Sequence, residues 1–405
     1  MSHATNQKVN LGLKHNWKQF TLLVIINGFV GGMVGLERTI LPEVAETDFH
    51  VAAKTAILSF IIVFGIAKAI SNYYTGRLAN QLGRKNLLIL GWLFGLPVPF
   101  ILIYAPAWNW IVLANILLGI NQGLTWSSTV VMKIDLVGEK NRGFAMGMNE
   151  SVGYLAVGIV AFFTGWIATE YGLRPYPFYM GIGFAVIGLL SSIFLVKDTV
   201  HHVDLETRIS NTTMLKNIFW DTTWKDRNLG SITQAGLVNN LNDGMIWGIF
   251  PILLALKGFN LTEIAKIVAI YPLVWGLAQL FTGKLSDHIN KKQMLFWGMF
   301  LQGISLMAML FFSSFYALVV LSVFLGLGTA IVYPTFLSSI AGFTHPRQRP
   351  HSIGVFRLWR DLGYAIGALV TGVIADVINI EWSVVFIAAI TLLSSFIILY
   401  RMDYS

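Results

Sequence analysis

The chain has 405 residues, 55% of them hydrophobic and 12% charged, with a mean hydropathy of +0.66 and a net charge of +8. Soluble domains carry about 25% charged residues, so this chain has too little charge to cover a surface facing water, and its solvent is largely lipid. It has no cysteine, which excludes disulfides, thiol catalysis and Cys-ligated metal.

The first 18 residues are polar and hold three lysines, and the apolar run after them lacks a small-residue cleavage site. That run is expected to be a retained first transmembrane helix rather than a signal peptide. Apolar stretches of spanning length recur at 19–42, 53–75, 86–106, 108–132, 144–168 and 176–196, then at 229–256, 262–283, 293–313, 315–341, 353–375 and 382–400. The expected fold is therefore all-α, with twelve transmembrane helices in two sets of six: a first bundle over 1–196, a polar linker over 197–228 and a second bundle over 229–405. With both termini cytoplasmic, 20 of the 28 Lys and Arg fall on cytoplasmic segments and four, including Lys54, on external ones. Basic loops stay on the cytoplasmic side, so the positive balance is a topological signal, and a nucleic-acid partner is not expected.

The two halves repeat. Thr75–Gly91, TGRLANQLGRKNLLILG, aligns without a gap on Thr282–Gly298, TGKLSDHINKKQMLFWG, at an offset of 207, and Arg142 lies the same distance before Arg349. GRLANQLGRK resembles the signature loop of the major facilitator superfamily, Gly-x-Leu-Ala-Asp-x-x-Gly-Arg-Lys/Arg, and the resemblance in topology covers the whole chain. In physical terms Gly76 and Gly83 permit a tight turn and close helix approach, while Arg84 and Lys85 hold the loop at the anionic-lipid side. The resemblance implies two bundles rocking about a central site, with this loop latching the outward-facing state. The usual Asp of the loop is Asn80 here, whereas Asp287 keeps the acid in the second half.

Ionisable groups inside spans are costly and need a reason. Asp243, Glu150 and Glu37 are candidate proton-coupling carboxylates. Arg38, Asn239, Asn242, Asn121, Gln122, Trp126, Tyr154 and Trp247 are candidate walls of the substrate cavity; Asn239, Asn242 and Asp243 share a face at i, i+3, i+4 spacing. Glu37 and Arg38 have snorkelling to the outer interface as their alternative reading, as does Lys68 on the cytoplasmic side. In FRLWRDLG, Arg357 and Asp361 are spaced to pair, with Arg360 a further cation. Lys68, Arg360 and Asp361 form a candidate cytoplasmic gate, because the resembled fold sets helix 2 against helix 11. Many relatives carry an arginine in helix 4 near Asn115, and the drug-efflux branch has Gly-x-x-x-Gly-Pro in helix 5; neither is present here.

No metal cluster and no phosphate-binding loop is legible, so no cofactor is expected and the energy source is a gradient, taken to be of protons. The reading is a non-enzymatic, monomeric secondary transporter of the cytoplasmic membrane that exports a small organic solute by proton antiport. Symport or exchange of an anionic metabolite is the alternative, and a non-transporting receptor or scaffold is the alternative of another class.

Overall fold

The computed structural model describes residues 10–38, 40–51 and 59–403, without the side chains of Arg38, Leu261, Thr262 and Ala265. Lys54 and the side chain of Arg38 therefore lie outside the described residues.

Helices α1 (Leu13–Arg38) and α2 (Leu41–Thr47) make the first span, α3 (Ser59–Leu82) the second, and α4 (Arg84–Gly95) with α5 (Pro97–Tyr104) the third. Then come α6 (Trp108–Val137), α7 (Arg142–Tyr171) and α8 (Tyr179–Phe194). After a linker helix α9 (Val200–Ile209), the second half holds α10 (Arg227–Gly248) with α11 (Phe250–Leu256), α12 (Leu261–Leu285), α13 (Lys291–Phe311), α14 (Phe315–Phe343), α15 (Arg349–Val377) and α16 (Ile380–Arg401). Prolines account for two of the breaks: Pro97 opens α5 and Pro251 lies in the first turn of α11. Polar caps start others, with Asp226 accepting from the Asn228 and Leu229 N–H groups and Asn260 forming a capping box with Glu263.

Nine helices among the described residues are long and apolar enough to cross a bilayer. The three spans that fall short, α3, α6 and α10, carry Asn72, Asn121, Gln122, Lys133, Asp135, Asn239, Asn242 and Asp243, all buried. They are polar because protein, not lipid, surrounds those faces.

The halves pack alike. In the first, α1 packs on α7, and α6 on α3 and α4; in the second, α10 packs on α15, and α14 on α12 and α13. One hydrogen bond repeats at the same offset: Thr75 Oγ1 donates to the Gly123 carbonyl at 3.1 Å, and Thr282 Oγ1 to the Ala330 carbonyl. The second has an added cause, since Pro334 lacks the N–H that would bind Ala330 within α14.

Two seams join the halves, α3 against α15 and α7 against α12. Both are tightest at the end of the bundle that carries the linker. A Cβ on Gly283 would stand 2.6 Å from the Gly147 Cα, and one on Gly354 would stand 2.8 Å from the Asn72 carbonyl oxygen. Toward the other end the same helix stripes part: a Cβ on Gly65, Gly158 or Gly372 would meet nothing within 4 Å among the described residues. Gly83, at φ +82°, provides the turn into α4.

One expectation is corrected. Span four does not stop at 132: α6 runs to Val137, and Lys133 and Asp135, which end the apolar run, are fully buried. Within the polar linker, α9 buries Val203 and Glu206.

Candidate functional site

About a third of the way along the helices from the linker end, a chain of buried polar side chains crosses between the halves. Glu150 on α7 is 1% exposed, and its Oε1 accepts from Asn149 Nδ2 at 2.7 Å, Trp126 Nε1 at 3.1 Å and Arg357 Nη2 at 3.4 Å. Its Oε2 has no hydrogen-bond partner among the described residues. Arg357 comes from α15 in the other half and donates Nη1 to Ser127 Oγ at 3.0 Å. Ser127 donates to Asn72 Oδ1, and Asn72 Nδ2 donates to Asp361 Oδ2, each at 2.5 Å. Asp361 Oδ1 then accepts from Arg360 Nε at 2.9 Å and Nη2 at 2.7 Å.

The expected Arg357–Asp361 pair is therefore not made. Arg357 is drawn across the seam to Glu150 and Ser127, and Arg360 takes Asp361. Behind Glu150, Lys133 is fully buried and donates to Asn149 Oδ1. Taking such charges out of water costs several kcal/mol per ion, offset only where partners are in place.

An aromatic layer adjoins this chain. Tyr154 lies 5.3 Å from Trp126, 4.3 Å from Trp275 and 6.0 Å from Tyr333 between ring centroids. The Tyr154 and Tyr333 hydroxyls, one from each half, share a hydrogen bond at 3.2 Å. Two cations stack on the layer, Lys68 Nζ 5.4 Å from the Trp126 ring centre and the Arg360 guanidinium 5.3 Å from that of Tyr333. Lys68 is half-buried.

Asp243 sits apart within the second half. Tyr271 on α12 donates its hydroxyl to Asp243 Oδ1 and lies 3.3 Å from Thr329 Oγ1. Tyr271 stacks on Trp275 at 6.0 Å, which brings Asp243 to the edge of the aromatic layer.

The linker end holds a second charged cluster. The repeat-related Arg142 and Arg349 converge on one carboxylate, that of Glu206 in α9. Arg142 Nη2 donates to Oε1, and Arg349 donates Nη2 to Oε1 at 2.7 Å and Nη1 to Oε2 at 2.9 Å. Burial pushes the Glu206 carboxyl up, but hydrogen bonds and charge from the two guanidiniums outweigh it and hold it below the ordinary glutamate value. Arg349 also lies 3.7 Å from Asp135, which pairs with Arg84 at 3.3 Å.

Beside this cluster, Asp287 from the second half accepts the backbone N–H groups of Gly143 at 2.7 Å and Phe144 at 2.9 Å, at the first turn of α7. Burial nevertheless leaves its carboxyl above the usual aspartate value. At the equivalent place Asn80 donates to the Arg347 carbonyl, just before α15. The amide suits a carbonyl partner that a carboxylate would repel.

The sequence profile described as Major Facilitator Superfamily matches residues 20–231 and 232–404, one half each. The chain belongs to the major facilitator superfamily. It is thus an integral membrane protein built as a transporter of this superfamily. The proton-coupled antiporter flippase LtaA of Staphylococcus epidermidis is 26% identical over 384 residues, covering 91% of this chain and 90% of that protein. The protein of the same name from Staphylococcus aureus is 26% identical over 385 residues, covering 90% and 89%. Among solved structures, the human organic anion transporter MFSD10 superposes with a TM-score of 0.75 at 15% identity, over 94% of this chain and 99% of that one, a likeness of fold.

Within this superfamily fold the candidate residues scatter. Glu150, Trp126, Tyr154, Lys68, Arg357, Arg360 and Asp361 lie together between the halves. Gly76, Asn80, Arg84, Arg142 and Asp287 gather at the linker end, whereas Lys85 turns back on its own half, donating to the Ile193 carbonyl at 2.8 Å. Glu37 is buried and accepts from Asn115 Nδ2 at 3.1 Å, so it does not snorkel.

Four cavity candidates are placed elsewhere. Asn242 is tied inside the second half to Gln302 at 2.9 Å and Thr391 at 2.7 Å. Asn121 donates to the Gly91 carbonyl at 2.9 Å and Gln122 to the Val30 carbonyl at 2.8 Å, both inside the first half. Trp247, near the end of α10 away from the linker, is 45% exposed. Asn239 is fully buried with its Oδ1 unpartnered among the described residues. Sequence reasoning missed Asn72, Ser127, Lys133, Asn149 and Glu206. Of these only Lys133 had a signal, a cation within reach of a span.

Proposed function

We propose that this transporter is a proton-coupled antiporter in which Glu150 carries the proton, and that the linker end faces the cytoplasm. The observation that carries the reading is the pair of Glu150 with Arg357, made between the halves in the buried interior, with one carboxylate oxygen left without a partner. While Glu150 is ionised, the pair holds the halves together below the aromatic layer. A proton on Oε2 removes the charge, Arg357 loses its counter-ion, and the linker side is free to open. The outward-to-inward step therefore requires a proton, and the return with cargo re-forms the pair once the proton has left toward the cytoplasm. Such ion-pair logic suits a buried site, where the charged form is stable only with its partner.

The relatives are named flippases, so the cargo class to test first is an amphipathic lipid with a polar headgroup. The parted seams away from the linker, where Gly65, Gly158 and Gly372 meet no neighbour among the described residues, support side access from the bilayer. An anionic cargo, the other reading, rested on spare cations. Arg357 and Arg360 are already matched by Glu150 and Asp361, which leaves Lys68 and Arg38, the latter with its side chain outside the described residues.

The test uses protein in liposomes with an imposed proton gradient and dye-labelled lipids of uncharged and anionic headgroup. Glu150→Gln should abolish gradient-driven movement yet keep exchange of labelled for unlabelled lipid at equal pH. Gradient-driven movement at the unsubstituted rate in that variant would remove Glu150 from the mechanism.

A further inference from the structure

The seam between α7 and α12 contains polar groups that the fold itself does not satisfy. Ser151 Oγ on α7, both side-chain polar atoms of Gln279 on α12 and the Trp275 Nε1 have no hydrogen-bond partner among the described residues. Ser151 and Gln279 are fully buried, and Trp275 is 5% exposed. Buried polar groups are seldom left unmatched, because each costs roughly 1–3 kcal/mol. Four such atoms on one seam mark a place that takes a small hydrogen-bonding occupant.

The helix register puts them side by side. Gly147 packs against the Gln279 carbonyl, and Tyr154 against Trp275 at 4.3 Å. Ser151 is four residues past Gly147 and Gln279 four past Trp275, so each lies one turn further along the same face of its antiparallel helix. The two therefore oppose each other between those contacts. Glu150, with its unpartnered Oε2, leaves α7 at the same level as Ser151, about 100° round the helix. The other faces of Glu150 are taken by Trp126 and Asn149, by Arg357 from α15, and by Lys133 behind Asn149; Lys68, Arg360, Tyr154 and Tyr333 are the remaining ionisable groups whose charge it feels.

We propose that Ser151, Gln279 and Trp275 hold water level with Glu150, as a relay through which its proton reaches the linker side once the seam parts below them. Hydroxyl, amide and indole together offer donors and acceptors that orient a short file of water. The same proton that leaves Oε2 passes along the file, and no other bond changes. The close contact of Gly147 and Gly283 ends the relay toward the linker, so it conducts when α7 and α12 part there. Gln279 and Ser151 are thus positioning residues for proton transfer. This rests on the reading of Glu150 as the proton carrier.

The test compares Gln279→Leu, Ser151→Ala and the polar Gln279→Asn in liposomes, reading proton flux with a trapped pH dye and lipid movement with labelled lipids. In Gln279→Leu, proton flux and gradient-driven movement should fall about tenfold, the effect of ~1.4 kcal/mol on a barrier. Exchange at equal pH should be unchanged, Ser151→Ala should show the same split, and Gln279→Asn should restore coupling. Full proton-driven movement in both apolar variants overturns the relay. Equal loss of exchange and driven movement overturns it too, by making these residues part of the cargo site. If the unsubstituted protein moves no protons with cargo, the antiport reading fails first, a result distinguishable from failure of the relay.

Discussion

Replacing Glu206 by Gln keeps the shape of the side chain and removes the charge on which Arg142 and Arg349 converge. The carboxylate receives three guanidinium hydrogen bonds, two of them at 2.7 and 2.9 Å from Arg349. Breaking a buried ion pair by removing one partner costs about 3–5 kcal/mol. Arg349 keeps Asp135 at 3.7 Å, and the amide oxygen still accepts one bond, so the loss here belongs at the low end. Only the part absent from the open state shifts the balance between states. About 2–3 kcal/mol of it makes linker-side opening roughly 30- to 150-fold more frequent.

The chain has no cysteine, so a single Ser286→Cys reporter reads this directly. Ser286 is 1% exposed in the α7–α12 seam, and a water-soluble thiol reagent reaches it only when the linker side opens. Labelling should quicken by the same factor in the Glu206→Gln background. An unchanged labelling rate, with the protein folded by thermal melt, refutes the argument that α9 clamps the two halves.

The same reporter checks three further outcomes. Gly283→Ala places a Cβ 2.6 Å from the Gly147 Cα, where only backbone stands, so the seam must part and labelling should rise at least tenfold. Asp287→Ala strips acceptors from two N–H groups at the start of α7; a lost cap costs about 0.5–2 kcal/mol, so labelling should rise several-fold, less than for Glu206→Gln. Because Glu206 titrates below its ordinary value of 4.5, its contribution is fully present above that pH and lost as pH falls through the lower folded value. With Glu150→Gln removing the other opening proton, and rates divided by those of a free thiol at each pH to cancel thiolate formation, labelling from the linker side should therefore be flat between about pH 6 and 8, and a rise as pH falls across that range would show that Glu206 is protonated too readily for this clamp.

The spans and the internal repeat were legible because a bilayer imposes length and apolarity, and duplication leaves aligned residues such as Thr75 and Thr282. Glu150, Arg357, Arg360 and Asp361 stood out as charges no lipid-facing helix would keep. Lys133 and Asp135 did not, since a hydropathy window ends a span where charge begins, although protein surrounds both. Glu206 was hidden for the opposite reason: in a polar linker a glutamate looks solvated until the fold buries it. Asn121, Gln122 and Asn242 were misplaced because a polar residue in a span serves equally well to tie neighbouring helices of one half. Composition does not say which side of the helix faces the gap between halves.

Glu206 also stands in a singular relation to the duplication that built this chain. Arg142 and Arg349 occupy equivalent positions of the repeat, and the acid they share lies in the linker that follows the first set of spans. Such a group has no counterpart at the offset of 207 that relates the halves. It arrives at fixed effective concentration because the chain is continuous through α9. Two unlinked six-helix halves would keep both arginines and lose the acid between them, unless one half retained that helix. Joining the copies thus added a component that neither contained, and made the connection itself part of what alternates.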